Sequence, residues 1–385
     1  KYLLTLSYRR DGSSRFEKES RWGNFPSTAF AWKVKEDFFK DSNVVSDLKL
    51  RLSYGITGQQ DIPDPNGYLE KYDLGGGNSQ YQFGNAYFPI ALPSKRTKNL
   101  KWEETVSYNA GLDFGVFNNV ITGAVDVFYK EAKDLLVNAA ISDGSNFSNR
   151  VYQNVGSFTN KGIEFTLSAS PIKTEKFNWN VNVNASKFER RIKDLVYGTD
   201  IYVGDNIAGT GTPGQIFREG YTPYSFYVYK QLYDTNGKAI EGAFADLNGD
   251  NIKNDSDRYI YNNPDPDVTL GFASTMNYKD IDFSFNLRAS IGNRIFNAVD
   301  ASRAQYEAME NGGILSNVPS SILDTNFQTT SNVLLSDIYI ENASYLKMDN
   351  VTLGYTFRKI MNESTSLRMF TGVQNVFVLT KYSGL

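Results

Sequence analysis

The sequence predicts an all-β protein whose antiparallel strands form a transmembrane β-barrel with long loops at one end. Two observations support this class. Apolar and polar residues alternate strictly along several segments, and short turns alternate with long polar connections between those segments. No stretch approaches the roughly 18 consecutive apolar residues of a membrane helix, so any membrane span has to consist of strands.

The clearest alternation lies in residues 177–186. Its odd-numbered residues fall on one side of an extended backbone, whereas asparagine occupies most positions on the other side. The apolar residues of the first side are Trp179, Val181, Val183 and Ala185. The same pattern recurs at residues 281–290. Because a soluble β-sandwich shows this alternation too, the pattern alone leaves both classes open.

The turns and loops favour the barrel. Short turns join four strand pairs, at residues 118–119, 173–176, 279–280 and 361–364. The segments between these hairpins are long and polar, at roughly 59–100, 131–158, 193–222, 234–266 and 295–342. Compact domains mostly use connections of about 4–6 residues, whereas outer-membrane barrels alternate tight turns with long extracellular loops. We therefore predict roughly eleven strands and no second domain.

The composition fits a barrel of this kind. Phe (26) and Tyr (25) far outnumber Trp (4) and Met (5), and aromatic side chains both favour strands and form the girdles of membrane barrels. The mean hydropathy of −0.42 is compatible with membrane strands, because only alternate residues of such strands face lipid. A net charge of −3 gives no basic excess for nucleic acid, so no nucleic-acid partner is expected.

The chain contains no cysteine and no histidine. This composition excludes thiolate and imidazole chemistry, zinc sites and a Ser-His-Asp triad. We expect no enzyme activity and no catalytic residues, although the composition leaves open a barrel-embedded hydrolase that uses only serine and carboxylate groups. Any metal site must use oxygen ligands, which points to calcium or magnesium.

One segment has the ligand spacing of a calcium loop. In residues 246–257, oxygen donors occupy positions 1, 3, 5, 9 and 12, and the backbone carbonyl at position 7 completes the order of an EF-hand-type site. The predicted Ca²⁺ ligands are Asp246, Asn248, Asp250, Ile252, Asn254 and Asp257. Asn251 replaces the usual glycine, although asparagine tolerates the left-handed conformation, and Asp257 replaces a longer glutamate. The alternative is a polar turn without metal.

Two further features lie in the long segments. Six aromatic residues of the first long segment could stack on sugar rings or contact a partner, but packing within the loop is the preferred interpretation. They are Tyr68, Tyr72, Tyr81, Phe83, Tyr87 and Phe88. Residues 301–309 are predicted to form a short helix in the last long segment.

Several motifs resemble the C-terminal barrel part of SusC/RagA-type TonB-dependent transporters of Bacteroidetes outer membranes. They run along essentially the whole chain: RRDGSSRF at 9–16, RWGNFP at 21–26, LKLRLSYGITGQ at 48–59, NLKWE at 99–103, NKGIEF at 160–165, DLNGD at 246–250, NPDPD at 263–267, YLKMDNVTLGY at 345–355 and VQNVF at 373–377. No single motif is unique to the family, but their order and spacing are specific.

The resemblance implies an outer-membrane location and a 22-stranded barrel, of which residues 1–385 would supply about half. The plug domain, the TonB-contacting segment and the N-terminal strands of the family would lie outside this chain. Both ends of the sequence fall close to strand patterns, as expected for a piece of a longer polypeptide. The implied partners are a SusD-like surface lipoprotein that acts as a lid, TonB as the energy source, outer-membrane lipid, and an oligosaccharide or peptide ligand.

Two other classes stay open on the sequence. One is a passive porin-like or structural outer-membrane barrel, which the presence of a plug domain would disfavour. The other is a secreted glycan-binding β-sandwich, which folding of the chain without detergent would favour.

Overall fold

The computed structural model describes residues 1–62, 64–74, 80–97, 99–141, 150–195, 198–207, 210–311, 313–360 and 363–384. Its main feature is one antiparallel sheet of eleven long strands, which pair in the order of the sequence. They are β1 (Tyr2–Gly12), β2 (Trp22–Lys33), β3 (Val45–Gln59), β4 (Glu103–Val116), β5 (Ile121–Lys133), β6 (Ser157–Lys173), β7 (Phe177–Asp194), β8 (Val268–Tyr278), β9 (Ile281–Ile291), β10 (Tyr345–Arg358) and β11 (Ser366–Thr380).

The predicted all-β class and the predicted number of strands are confirmed by this sheet. A β-sandwich would need two sheets packed face to face, whereas these strands form one continuous sheet. Most strands are longer than the alternating segments that predicted them. β7, for example, runs to Asp194, because its backbone pairing continues into residues that are charged on one face.

The pairing register separates the sheet into an apolar face and a polar face. One row of directly paired residues crosses all eleven strands and is apolar throughout: Tyr2, Trp32, Leu50, Leu112, Val125, Phe165, Ala185, Leu270, Ala289, Leu346 and Leu379. The row displaced by one residue is mostly polar or small: Leu3, Ala31, Arg51, Gly111, Asp126, Glu164, Ser186, Thr269, Ser290, Tyr345 and Thr380. A shift of one residue would exchange the two faces, so this pattern fixes the register.

These rows of paired residues are displaced, from each strand to the next, towards the end of the sheet that carries the long loops. The apolar row starts at Tyr2, the first residue of β1, and reaches Leu379 one residue before the end of β11, which has 15 residues. The shift is about 13 residues over about ten strand spacings, and it corresponds to a strand tilt of roughly 40° at about 3.3 Å per residue and about 4.8 Å between strands. Strands of closed barrels tilt by a similar angle.

The strands are joined by short turns at one end, here called the turn end, and by long loops at the other, the loop end. The turn end contains residues 34–44 with helix α1 (Lys35–Phe38), 117–120, 174–176, 279–280 and 359–365. In the second of these turns Asn118 and Asn119 have φ angles of 56° and 62°, a conformation that asparagine tolerates better than most residues. The predicted turn at 361–364 lies partly outside the described residues.

The loop end contains five connections. They are L1 (13–21), L2 (60–102), L3 (134–156), L4 (195–267) and L5 (292–344). Their position at one end confirms the predicted alternation of short and long connections. Among the described residues no helix is both long and apolar enough to cross a membrane.

The division of residues 193–266 into two long segments is wrong, because L4 is one connection with its own small sheets. Ile201–Asn206, Pro213–Phe217, Ser225–Tyr229 and Arg258–Ile260 form a four-stranded sheet, and Gln231–Tyr233 pairs with Ala239–Phe244. The Ser225–Tyr229 strand resembles a barrel strand in sequence, but every one of its residues is buried. The Ser225–Tyr229 strand therefore forms the core of a folded loop, whereas a barrel strand would have one face exposed to water.

The other loops also contain short elements. Paired strands are Tyr72–Leu74 with Ala91–Pro93, Gln80–Phe83 with Ala86–Pro89, Leu136–Ala140 with Arg150–Asn154, Arg294–Phe296 with Ile340–Asn342, and Glu310–Asn311 with Ile314–Leu315. Helices are α2 (Ala298–Arg303), α3 (Ile322–Thr325) and α4 (Thr330–Val333), with 3₁₀ turns at Asp255–Asp257, Tyr306–Met309 and Asp337–Tyr339. The helix predicted at 301–309 is thus present as α2 and a 3₁₀ turn, and it begins earlier because Asn297 accepts a hydrogen bond from the Asp300 amide.

Candidate functional site

L4 and L5 fold against each other at the loop end of the sheet, and we call residues 195–267 and 292–344 together the loop assembly. The Tyr229 amide donates to the Leu335 carbonyl at 2.8 Å. The Asp337 carboxylate accepts from the Gln231 amide at 3.0 Å and from the Tyr259 hydroxyl at 2.6 Å. One carboxylate of L5 therefore holds two elements of L4.

An apolar core supports these polar contacts. One cluster joins Phe226 and Val228 of L4 to Ile340 of L5, and a second consists of Ala301, Phe327, Val333, Leu334 and Tyr339. Burial raises the pKa of Tyr339 to about 12. Buried side chains and paired backbone groups make the loop assembly a folded unit rather than a set of open loops.

Within this unit, the structure brings the predicted calcium ligands together. Carboxylate oxygens of Asp246, Asp250 and Asp257 lie within 4.8 Å of one another. The other three predicted ligands, Asn248, Ile252 and Asn254, lie in the same short segment and contact Asp250 or one another through the hydrogen bonds described next. We call residues 246–257 the acidic loop.

Hydrogen bonds from the backbone wrap the acidic loop around its carboxylates. Asp246 accepts from the amides of Gly249 at 2.6 Å and Asn251 at 2.8 Å, and Asp250 accepts from the amide of Ile252 at 2.7 Å. These donors lower the pKa values of both carboxyl groups, led by Asn251 for Asp246 and by Ile252 for Asp250. Asn251 has a φ angle of 60°, so it takes the left-handed conformation that the sequence analysis required of it.

Asp250 is the point at which the ligand groups converge. Its Oδ2 atom accepts from the side-chain amides of Asn248 at 2.8 Å and Asn254 at 3.0 Å. The Asn254 amide also donates to the Ile252 carbonyl at 3.1 Å. The side-chain N–H groups of Asn248 and Asn254 thus occupy the space between oxygens that a hard cation would otherwise bridge. For a cation to bind, both asparagine side chains would have to rotate so that their oxygens face the ion.

Asp257 has a structural function in addition to its predicted one. Its side chain is buried, and its two oxygens accept from the amides of Leu247 and Asn254, each at 3.0 Å. The carboxylate therefore closes the acidic loop from within. Each oxygen has a further lone pair for a metal ion.

Two cationic side chains, Lys253 and Arg258, connect the acidic loop to the small sheets of L4. The sequence analysis did not identify either of them. Lys253 lies over the rings of Phe244 at 4.2 Å and Tyr229 at 4.9 Å, and burial lowers its pKa. Arg258 lies over Tyr227 at 4.5 Å and donates to the Tyr227 carbonyl at 3.0 Å. Both cations contact aromatic rings that are distant in sequence, so no local pattern indicates their positions.

A cavity of about 330 Å³ lies between L4 and L5. It is lined by Ile207, Gly214, Gln215, Phe226, Pro264, Arg294, Ile295 and Phe296. The Arg294 guanidinium forms no ion pair or hydrogen bond with the rest of the chain that the structure describes. The mixture of aromatic rings and an unpaired guanidinium can contact a ligand that has both apolar and polar groups.

The aromatic residues of L2 are more exposed than predicted. In the hairpin Gln80–Phe83 and Ala86–Pro89, the rings of Tyr81 and Phe83 lie 5.3 Å apart, but Phe83 remains 71% exposed. Tyr72, Tyr87 and Phe88 are exposed as well. The preferred interpretation, packing within the loop, is therefore wrong for these five residues, because no second layer covers the two-stranded hairpin among the residues that the structure describes, whereas Tyr68 is half-buried.

The polar face of the sheet below the loops contains ion pairs. Arg51 lies 2.7 Å from Asp113 and 2.9 Å from Asp126, and Lys49 lies 3.1 Å from Asp113. These groups span β3, β4 and β5. A cluster of this kind suits a wall that borders water or another polar surface.

The chain is similar to known proteins along its whole length. A family model described as TonB dependent receptor-like, beta-barrel matches residues 1–376. TonB-dependent receptor SusC of Bacteroides thetaiotaomicron is 43% identical over 401 residues, which cover 100% of this chain and 40% of that protein. TonB-dependent receptor P3 of Formosa agariphila is 31% identical over 415 residues, which cover 100% of this chain and 40% of that protein.

Among solved structures, one described as the RagAB peptide transporter superposes with a TM-score of 0.82 at 22% identity, covering 100% of this chain and 43% of that chain. This likeness supports the fold. The chain spans about two fifths of the length of the curated relatives that it matches.

Proposed function

The chain belongs to the family of TonB-dependent receptor-like β-barrels and forms part of an outer-membrane barrel, and on this basis we propose that it is the C-terminal barrel portion of an active nutrient transporter. The proposed cargo is an oligosaccharide, a peptide or a similar ligand. The observation that supports the proposal most directly is the 43% identity to TonB-dependent receptor SusC over the whole chain.

The proposed mechanism needs partners outside this chain. A SusD-like surface lipoprotein would cover the barrel, and ligand would be held between that lid and the long loops. TonB would then supply the energy to rearrange a plug domain in the remainder of the protein. In this chain, the polar face of the sheet would border the passage, and the loop assembly with its 330 Å³ cavity would lie at the entrance.

The test is extraction of the native outer membrane in a mild detergent, followed by mass spectrometry of the purified complex. We expect a surface lipoprotein to co-purify, together with peptides from a plug domain of the same polypeptide. Ligand uptake by cells should stop when TonB is deleted. A barrel without lipoprotein or plug, with uptake that is independent of TonB, would contradict the proposal and favour a passive porin.

We further propose that the acidic loop binds Ca²⁺ as a structural ion. Five side chains and the Ile252 carbonyl offer six oxygen ligands from one segment, which is within the 6–8 that calcium takes. Support comes from the close approach of Asp246, Asp250 and Asp257 and from the left-handed Asn251. The ion would replace the N–H donors that now converge on Asp250.

Calorimetry of the intact, chelator-treated receptor tests the calcium proposal. We expect Ca²⁺ uptake by the wild type, loss of that uptake in Asp250→Ala, and greater resistance of L4 to protease when calcium is present. Asp234→Ala is the matched control, because Asp234 also accepts backbone amides in an exposed turn of L4 but lies outside the acidic loop. Equal uptake by wild type and Asp250→Ala would contradict the assignment.

A further inference from the structure

The apolar face of β7 changes character at one position. Every second residue from Trp179 to Ala185 is apolar, whereas Lys187, Glu189 and Arg191 continue the same face as charged residues. The lipid-facing band of an outer-membrane barrel is about 25 Å tall, and the ten residue steps from Phe177 to Lys187 rise by roughly that distance at a tilt of roughly 40°. Lys187 therefore lies at the outer edge of the band, at the level of lipid headgroups.

Cations exceed anions on this face of the sheet from the level of Lys187 towards the loop end. The group contains Lys161, Lys187, Arg191 and Lys193 with Glu131 and Glu189, and we call it the basic patch. Lys161 lies 3.1 Å from Glu189, which also contacts Arg191, and Lys193 lies 2.7 Å from Glu131. The Lys187 side chain forms no ion pair or hydrogen bond with the residues that the structure describes. Two positive charges thus remain without a matching carboxylate.

An apolar groove adjoins the basic patch. Its volume is about 640 Å³, and its lining includes Leu52, Tyr108, Ala110, Val127, Tyr129 and Lys161. The small Ala110 lies between Leu52 and Val127 in one row of paired residues, and this difference in size makes the depression. In the next row Tyr129 is followed directly by Lys161. The groove therefore ends at a cation.

We propose that the basic patch and the groove together bind a lipid with an anionic phosphate headgroup. The lipid chain would lie in the groove, and the phosphate would contact Lys161 and Lys187. The apolar groove matches the acyl chain of such a lipid, and the ammonium groups at its end match the phosphate. Both lie where the outer leaflet meets the barrel. A free phosphate would use only the cations, so the groove favours the lipid. The site is separate from any passage for a transported ligand.

The test uses the full-length receptor in a neutral detergent, with bound lipids counted by native mass spectrometry. The probes are phosphatidylglycerol and diacylglycerol with the same acyl chains, and inorganic phosphate as a competitor. We expect the Lys161→Gln, Lys187→Gln double variant to bind phosphatidylglycerol about tenfold more weakly, because each surface cation contributes substantially to the attraction of an anionic lipid. Diacylglycerol binding should not change. Ala110→Phe, which fills the groove, should weaken the binding of both lipids.

A matched control removes the same charge at the turn end, in Lys173→Gln with Lys176→Gln. This pair should bind phosphatidylglycerol as the wild type does, and all variants should show the heat-dependent migration of a folded barrel. Equal affinity of wild type and the Lys161, Lys187 double variant would overturn the proposal, and so would an equal loss in the control pair. Inorganic phosphate could also displace the lipid completely, at concentrations close to the dissociation constant of phosphate itself. That result would identify an anion site rather than a lipid site.

Discussion

At the scale of single residues, Asp337 connects the two loops that form the loop assembly. Its oxygens accept from the Gln231 amide and the Tyr259 hydroxyl, which belong to different strands of L4. Burial, followed by the hydrogen bond to Asp337, raises the pKa of Tyr259 above the usual value for a phenol. The neutral phenol is therefore the form that stabilises the contact.

Tyr259→Phe should weaken the contact between L4 and L5 by about 1–2 kcal/mol, because it removes a hydrogen bond to a carboxylate. Since the folded-state pKa is raised, the contribution of the phenol is complete below about pH 10 and is lost only as the pH rises through the higher folded value. The measurements are protease cleavage of the loop assembly at neutral pH and an ultraviolet titration of the tyrosines. Tyr261→Phe is the control, because the Tyr261 ring lies 5.8 Å from that of Tyr259, whereas among the described residues only the Tyr259 phenol donates a hydrogen bond to Asp337. Equal cleavage of both variants would refute the prediction.

The acidic loop shows which features of a site can be predicted from residues that are close together in the sequence. Ligand spacing and the left-handed Asn251 follow from chemistry within a dozen residues, so both could be predicted. Lys253, Arg258 and Arg294 could not, because their surroundings depend on strands of L4 and L5 that are remote in sequence. Whether calcium binds remains a prediction for the calorimetric test.

At the scale of elements, alternation with a period of two determines which face each strand presents. Residues 177–186 gave the correct faces because each side chain of a strand contacts its cross-strand neighbours, and the same alternation recurs in β8 and β9. The strand ends were less predictable. β6 and β7 continue to the loop end through charged residues, and Ser225–Tyr229 is a strand of a loop whose residues are buried on both sides.

A charge on the apolar face of β7 should be far more harmful than the same charge on the polar face. Val183→Arg places a guanidinium near the middle of the lipid band and should destabilise the folded barrel by about 2–4 kcal/mol. Asn182→Arg, one residue away on the polar face, should cost less than about 1 kcal/mol because that face is wet. The measurement is the amount of heat-modifiable receptor in the outer membrane. Similar losses in both variants would show that the two faces are assigned incorrectly.

At the scale of the whole molecule, the described sheet has two open edges. β1 pairs only with β2, and β11 pairs only with β10, among the strands that the structure describes. The buried apolar clusters lie mainly at the loop end, around Trp102, around Ile192 and in the loop assembly. The sheet itself is therefore held by backbone pairing and by lipid rather than by an interior core.

Residues 1–385 expressed alone with an outer-membrane targeting signal should not form a protease-resistant barrel. Unpaired N–H and C=O groups along β1 and β11 would be exposed to hydrocarbon, and each such group costs several kcal/mol. The full-length receptor is the control and should resist trypsin and migrate as a folded barrel without heating. A protease-resistant, heat-modifiable product from the 385-residue chain alone would contradict this prediction.

The two edges of the sheet also limit how a cylinder can close. Neighbouring antiparallel strands reverse direction, so in a sheet of eleven strands β1 and β11 run the same way. They cannot pair with each other in an antiparallel manner. A cylinder that is antiparallel throughout has an even number of strands, and the arc that completes this one must therefore have an odd number. Both seams are then antiparallel, and a strand opposite in direction to β1 and β11 lies at each of them.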